Sequence, residues 1–85
     1  MIKEQAINIY RQYLKKELRK LVKGNIIILA ENDYITVVIE NEYGCDFSYR
    51  IYDIYSKIIT GTPAYDLAYS LYKVYKKHIF NIFFK

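Results

Sequence analysis

Apolar residues recur every third or fourth position from Ile2 to Val22, with Ile2, Ala6, Ile9 and Tyr13 on one row and Ile7, Tyr10, Leu14, Leu18 and Leu21 on another. That spacing predicts a helix over 2–22 with one broad apolar side. Gly24 ends it, with Asn25 beyond, because glycine takes the backbone angles of a helix stop without steric cost. The period then shortens. Ile26 to Ala30 is a β-branched run, Glu31, Asn32 and Asp33 carry turn chemistry, and from Tyr34 to Glu40 the residues Ile35, Val37 and Ile39 alternate with Tyr34, Thr36 and Glu40. This is a hairpin pattern. A second turn near Asn41 to Gly44 leads to a third alternating stretch, 45–52, with Cys45, Phe47, Tyr49 and Ile51 on one side and Asp46, Ser48 and Arg50 on the other. Connections this short imply an antiparallel meander.

The helical period returns after Tyr52. Asp53 stands where an N-cap would open a short helical turn over 53–59, Gly61 closes it, and Thr62-Pro63 supplies a cap and first-turn proline for a last helix from Ala64 to about Phe84. The predicted fold is therefore α+β in the order α-β-β-β-α. A three-stranded antiparallel meander packs with two long helices, and a short helical turn precedes the last of them. With 85 residues and no linker or repeat, residues 1–85 are expected to form a single domain.

Composition bears on the setting. The one cysteine cannot form an internal disulfide and suits a reducing compartment, so a cytoplasmic protein is expected. The first residues run directly into charged helix with no apolar segment of a signal peptide. The longest run of large apolar residues, Ile26 to Leu29, is far shorter than the roughly 20 residues that cross a bilayer. Eleven tyrosines and four phenylalanines make the chain unusually aromatic.

The order helix, three antiparallel strands, helix resembles that of double-stranded RNA-binding domains. That family carries a lysine cluster at the start of its second helix, where this chain reads Pro63-Ala64-Tyr65-Asp66-Leu67-Ala68, so no residue role transfers from it. The segment holding Tyr55, Gly61, Leu67, Ala68, Leu71 and Tyr75 is similar to the closing part of small uncharacterised proteins of clostridia and related bacteria, a resemblance that implies lineage and no activity.

Charge is unevenly spread. Residues 1–23 hold seven Lys or Arg and two Glu, net +5; residues 24–61 hold two cations and six acids, net −4; residues 62–85 hold four Lys and Asp66, net +3. On a helical projection Arg11, Lys15, Lys16, Arg19 and Lys23 share one polar arc. Such a stripe can follow a phosphate backbone, and nucleic-acid binding is accordingly one expectation. A solvated helix face explains the same pattern, and no aromatic side chain interleaves the stripe to stack on bases.

The last helix has more apolar circumference than one neighbour can cover. Ala68, Leu71, Tyr75, Ile79 and Ile82 suffice as its core stripe, and Tyr65, Tyr69, Tyr72, Phe80 and Phe83 form an adjoining flank broken only by Lys76. Aromatic strips of this kind anchor protein partners or a second copy of the chain. If the first helix lay over it, the flank would be ordinary core.

Catalytic chemistry is thinly provided for. Cys45 and His78, the sole thiol and imidazole, stand far apart, and the acids gather at turns and strand ends. No zinc, EF-hand, phosphate-loop or nucleophile pattern occurs, so no cofactor is expected. The reading that follows is a non-enzymatic protein-binding module acting through Tyr65, Tyr69, Tyr72, Phe80 and Phe83. It would be an inhibitor or adaptor of the kind phages and other mobile elements carry, with homodimerisation or nucleic-acid binding as alternatives.

Overall fold

The computed structural model describes residues 2–42, 44 and 46–83. Its elements are α1 (Lys3–Leu21), β1 (Asn25–Glu31), β2 (Tyr34–Glu40), β3 (Phe47–Tyr52), α2 (Ile54–Ile59) and α3 (Ala64–Phe83). The strands form an antiparallel sheet in the order β1-β2-β3, so the α+β class and the α-β-β-β-α order hold. Cys45, expected at the head of the third strand, lies outside the described residues.

Register explains the core. Ile26 pairs with Ile39, Ile28 with Val37, Ile35 with Ile51 and Ile39 with Phe47. Partners across an antiparallel pair point to the same face, so all seven of these buried strand residues share one face. Against them lie Ile7, Leu14 and Leu18 of α1, Ile54 of α2, and Ala68, Leu71 and Tyr75 of α3, in one continuous cluster. The other sheet face carries Leu29, Ser48, Arg50 and Tyr52, all exposed, and no helix covers it. Both long helices therefore occupy a single side.

Several local expectations are corrected. The first helix does not stop on Gly24: it ends at Leu21, and Val22 leaves it in extended backbone while its N–H still reaches the Leu18 carbonyl at 2.9 Å. Gly24 serves a different purpose, since a Cβ there would sit 2.5 Å from the backbone oxygen of Glu40. Asp53 precedes α2 in left-handed backbone, φ +54°, and its side chain makes no cap. That work falls to Asp33 in the β1–β2 turn. Its carbonyl accepts the Ile54 N–H at 3.2 Å and its Oδ1 accepts the Tyr55 N–H at 3.3 Å. Lys3 at the start of α1 also reaches this carboxylate, at 3.5 Å, so one turn residue ties the entries of two helices to the sheet.

At the far end of α2, the N–H of Gly61 (φ +83°) bonds the Ile58 carbonyl and the N–H of Thr62 bonds that of Lys57. This is the paired arrangement that glycine favours after a helix. The last helix begins at Ala64, as expected, with the Pro63 carbonyl accepting the N–H groups of Asp66 and Leu67.

Asp33→Ala should remove the side-chain cap and the Lys3 contact, lowering stability by about 1 kcal/mol and the melting temperature by roughly 4–8 °C. Gly24→Ala should cost more, because the obstacle is rigid backbone. Thermal melts followed by circular dichroism rank the two.

Candidate functional site

The outer surface of the helix pair holds the candidate site. Tyr10 fixes how the helices run: its hydroxyl donates to the Thr62 carbonyl at 2.9 Å, just before α3 begins. Farther along, Glu17 and Leu21 of α1 border the same recess as Tyr65 and Tyr69, and Leu21 and Val22 border the next with Tyr72, Tyr75, Ile79 and Phe80. The helices are thus parallel. From Tyr10 to Leu21 α1 covers only about 17 Å, whereas α3 is about 30 Å long, so the last turns of α3 run past the end of α1. The molecule is correspondingly elongated, 44 × 21 × 18 Å.

The recesses between α1 and α3 adjoin one another. One lies at Tyr10, Tyr13, Pro63 and Tyr65; the next shares Glu17 and Tyr65 with it; the third shares Leu21 with the second and opens to about 450 Å³. Together they make a furrow along the helix pair, whose deep end also meets Glu42 of the β2–β3 connection. Its floor is apolar, with Leu21, Val22, Tyr75 and Ile79.

The structure places Tyr65, Tyr69, Tyr72 and Phe80 of the expected aromatic flank on the wall of this furrow, while Phe83 borders none of the three recesses. Tyr65, Tyr69, Phe80 and Phe83 retain 61, 50, 59 and 50% of their surface. Tyr72 is half-buried and packs against the core. The first helix does pack on α3, but chiefly through the Ala68, Leu71 and Tyr75 side, and so leaves the flank outside. Ile82, assigned to the core stripe, is exposed because it lies in the overhanging turns.

Two lysines furnish the wall. The Lys73 ammonium sits 4.8 Å from the Tyr69 ring centre and that of Lys76 sits 4.7 Å from the Tyr72 ring. These cation–π contacts hold charge beside an apolar floor, and the Tyr69 and Tyr72 rings themselves lie 6.4 Å apart.

Sequence reasoning missed Tyr13. It and Ile9 fell on the apolar side of α1, yet both are exposed while Ile7, Leu14 and Leu18 are buried. The signal was available: two apolar rows on one helix exceed what a single sheet face buries. Tyr13 extends the aromatic surface beyond Tyr65.

Of the basic residues expected to form a stripe, Arg11, Lys15, Lys16 and Arg19 lie on α1, in different surroundings. Arg11 is partly buried, and its Nη1 donates to the Ile28 carbonyl on the edge of β1 at 3.1 Å. Lys15 borders the small recess beside that edge. Lys16 and Arg19 are exposed. Lys23 lies past the helix end, where the helical projection no longer applies, and borders the deep end of the furrow.

Other chemistry is sparse. Among the described residues no cluster of His, Cys, Asp or Glu could hold a metal ion, and no helix is long and apolar enough to cross a membrane. The His78 ring packs 5.3 Å from Phe47, which also meets Tyr75 edge-on at 5.5 Å. Comparison with protein-family models, curated proteins and solved structures returns no match.

Burial raises the Tyr10 phenol above its ordinary value of 10.0, and the Asp66 carboxylate adds to the effect. A raised acid favours the neutral ring in the folded state, so this contribution is whole below pH 10 and is lost as pH rises through the higher folded value. Tyr10→Phe should cost about 1 kcal/mol at neutral pH through the lost hydrogen bond. It should also flatten the decline in stability above pH 10, as urea unfolding at pH 7, 10 and 11 will show.

Proposed function

We propose that this chain is a non-enzymatic protein-binding module, acting as an inhibitor or adaptor, and that the furrow between α1 and α3 is its docking surface. One observation carries the reading. Tyr65, Tyr69, Phe80 and Phe83 each keep half or more of their surface along a single helix wall, although a well-filled core was available beside them. Large rigid rings kept at the surface next to an apolar floor are the usual composition of binding hot spots, because they bring contact area with few rotors to freeze.

The lone cysteine supports a cytoplasmic setting for this activity. Nucleic-acid binding through Arg11, Lys15, Lys16, Arg19 and Lys23 has less support. Arg11 holds a strand-edge carbonyl, and Lys23 lies beyond the end of α1 and borders the furrow. Only Lys15, Lys16 and Arg19 remain for a phosphate backbone.

Tyr65→Ala combined with Tyr69→Ala tests the reading. The double variant should unfold within about 0.5–1 kcal/mol of wild type, since both rings are exposed, whereas Leu71→Ala should cost about 2–5 kcal/mol. In affinity capture followed by titration with the purified captured protein, the double variant should lose binding at least tenfold, and Lys15→Glu with Arg19→Glu should not. Unfolding of the double variant would make the flank core. Loss of binding only with the charge reversals, together with binding of random oligonucleotides that collapses between about 50 and 200 mM salt, would favour nucleic acid instead.

A further inference from the structure

Resting on that docking reading, we infer that the furrow takes an amphipathic helix of another protein whose apolar stripe is flanked by carboxylates. The shape and chemistry of the walls favour a helix. From Tyr10 to Leu21 both walls are helices whose backbone groups are bonded internally, so that stretch of the furrow offers a partner side chains only; beyond it Val22, Lys23 and Glu42 border the recess opposite α3. An extended strand would leave its own N–H and C=O groups unmatched there, while a helix arrives with them satisfied. The aromatic wall along the furrow, from Tyr65 to Phe80, runs about 22 Å at 1.5 Å per residue, a length suited to about four turns of helix.

Charge selects the flanks of that helix. α1 carries six cations and two acids, and α3 carries three cations and one acid, so the helical layer is positive while residues 24–61 are negative. Within the furrow, Glu17 and Lys20 pair at 2.8 Å. That leaves Lys23, Lys73 and Lys76 against Glu42 and Asp66: Lys23 and Lys76 share the Phe80-end recess with Glu42, Lys73 lies over Tyr69, and Asp66 stands at the Tyr65 end. Carboxylates on the incoming helix would meet the lysines above Tyr69 and Tyr72 beside the apolar floor, where an ion pair is screened less than on open surface.

The same charges disfavour a second copy. Its α3 would bring Lys73, Lys76 and Lys77 with a single Asp66 onto a wall of like sign, and its α1 is positive as well. Its acidic sheet is a flat layer and cannot enter a furrow between helices. A nucleic acid would set phosphates against Glu17, Glu42 and Asp66 and leave Leu21 and Ile79 unsatisfied.

The test uses two synthetic helical peptides of about 20 residues with the same leucine stripe, one flanked by Glu and one by Lys. Each is titrated into the isotopically labelled full chain and followed by NMR. At about 50 mM salt the Glu peptide should shift the amides of Leu21, Tyr69, Tyr72 and Ile79 and bind about tenfold more tightly than the Lys peptide. The difference should shrink near 500 mM, where the screening length falls to roughly 4 Å. Lys73→Glu with Lys76→Glu should reverse the preference, and urea unfolding of that variant checks that it is folded.

Equal affinities at the furrow would overturn the acidic partner and leave the docking surface standing. Shifts confined to Lys16 and Arg19 would overturn both. No binding by either peptide would overturn the inference. A dimer of the free protein in sedimentation that Tyr69→Ala abolishes would make the occupant a second copy and likewise overturn it.

Discussion

Ile35, Val37 and Ile39 on β2 are completely buried, and everything else in the molecule follows from that one-sided burial. A three-stranded sheet can hide a central strand on one face only if something long lies across it. Leu14 and Leu18 of α1, also completely buried, provide that cover. Each such side chain contributes roughly 1.5–3 kcal/mol relative to exposure. Because α1 takes the sheet, α3 must pack mainly on α1, reaching the sheet at the Phe47 end through Tyr75. Two parallel helices on one side then leave a furrow between them, and the longer helix runs past the shorter.

The layering also separates charge. Acids concentrate in the sheet and its turns, where Asp33 and Glu40 bond neighbouring elements, and lysines concentrate on the helices. No charged side chain among the described residues is buried, so this separation contributes little to holding the fold. Its consequence is a molecule with two electrostatically different sides, and the aromatic wall lies on the positive one. Arg11 is the exception among the cations: by donating to Ile28 it blunts the free edge of β1, the position at which an unprotected sheet invites another strand.

Much of the architecture was legible in the chain. The change of period from helical to alternating at Ile26 and back after Tyr52 located all six elements, because both periods express the same need to bury one side. The caps were less legible. Asp53 and Asp33 have the same side chain, and only the hairpin's folding back onto α2 decides that Asp33 does the capping. Gly24 looked like a helix stop because glycine has two uses, and the crowding by Glu40 that reveals the second belongs to tertiary structure. The flank of Tyr65, Tyr69, Phe80 and Phe83 was legible as surplus apolar surface on α3. Whether α1 would cover it depended on the side from which α1 approached, which no local pattern encodes. Tyr13 and the exposure of Leu29 and Tyr52 on the bare sheet face follow from the same undetermined choice.

Hydroxyl-radical footprinting of the free protein, read by mass spectrometry across a range of concentrations, tests most directly whether the helix flank is open surface. The account predicts that Tyr65, Tyr69 and Phe80 are oxidised rapidly, that Tyr75 is oxidised slowly, and that the contrast is independent of protein concentration. Slow oxidation of Tyr65 and Tyr69 at every concentration would show the flank to be core, and protection that grows with concentration would show it covered by another copy; either result contradicts an open furrow.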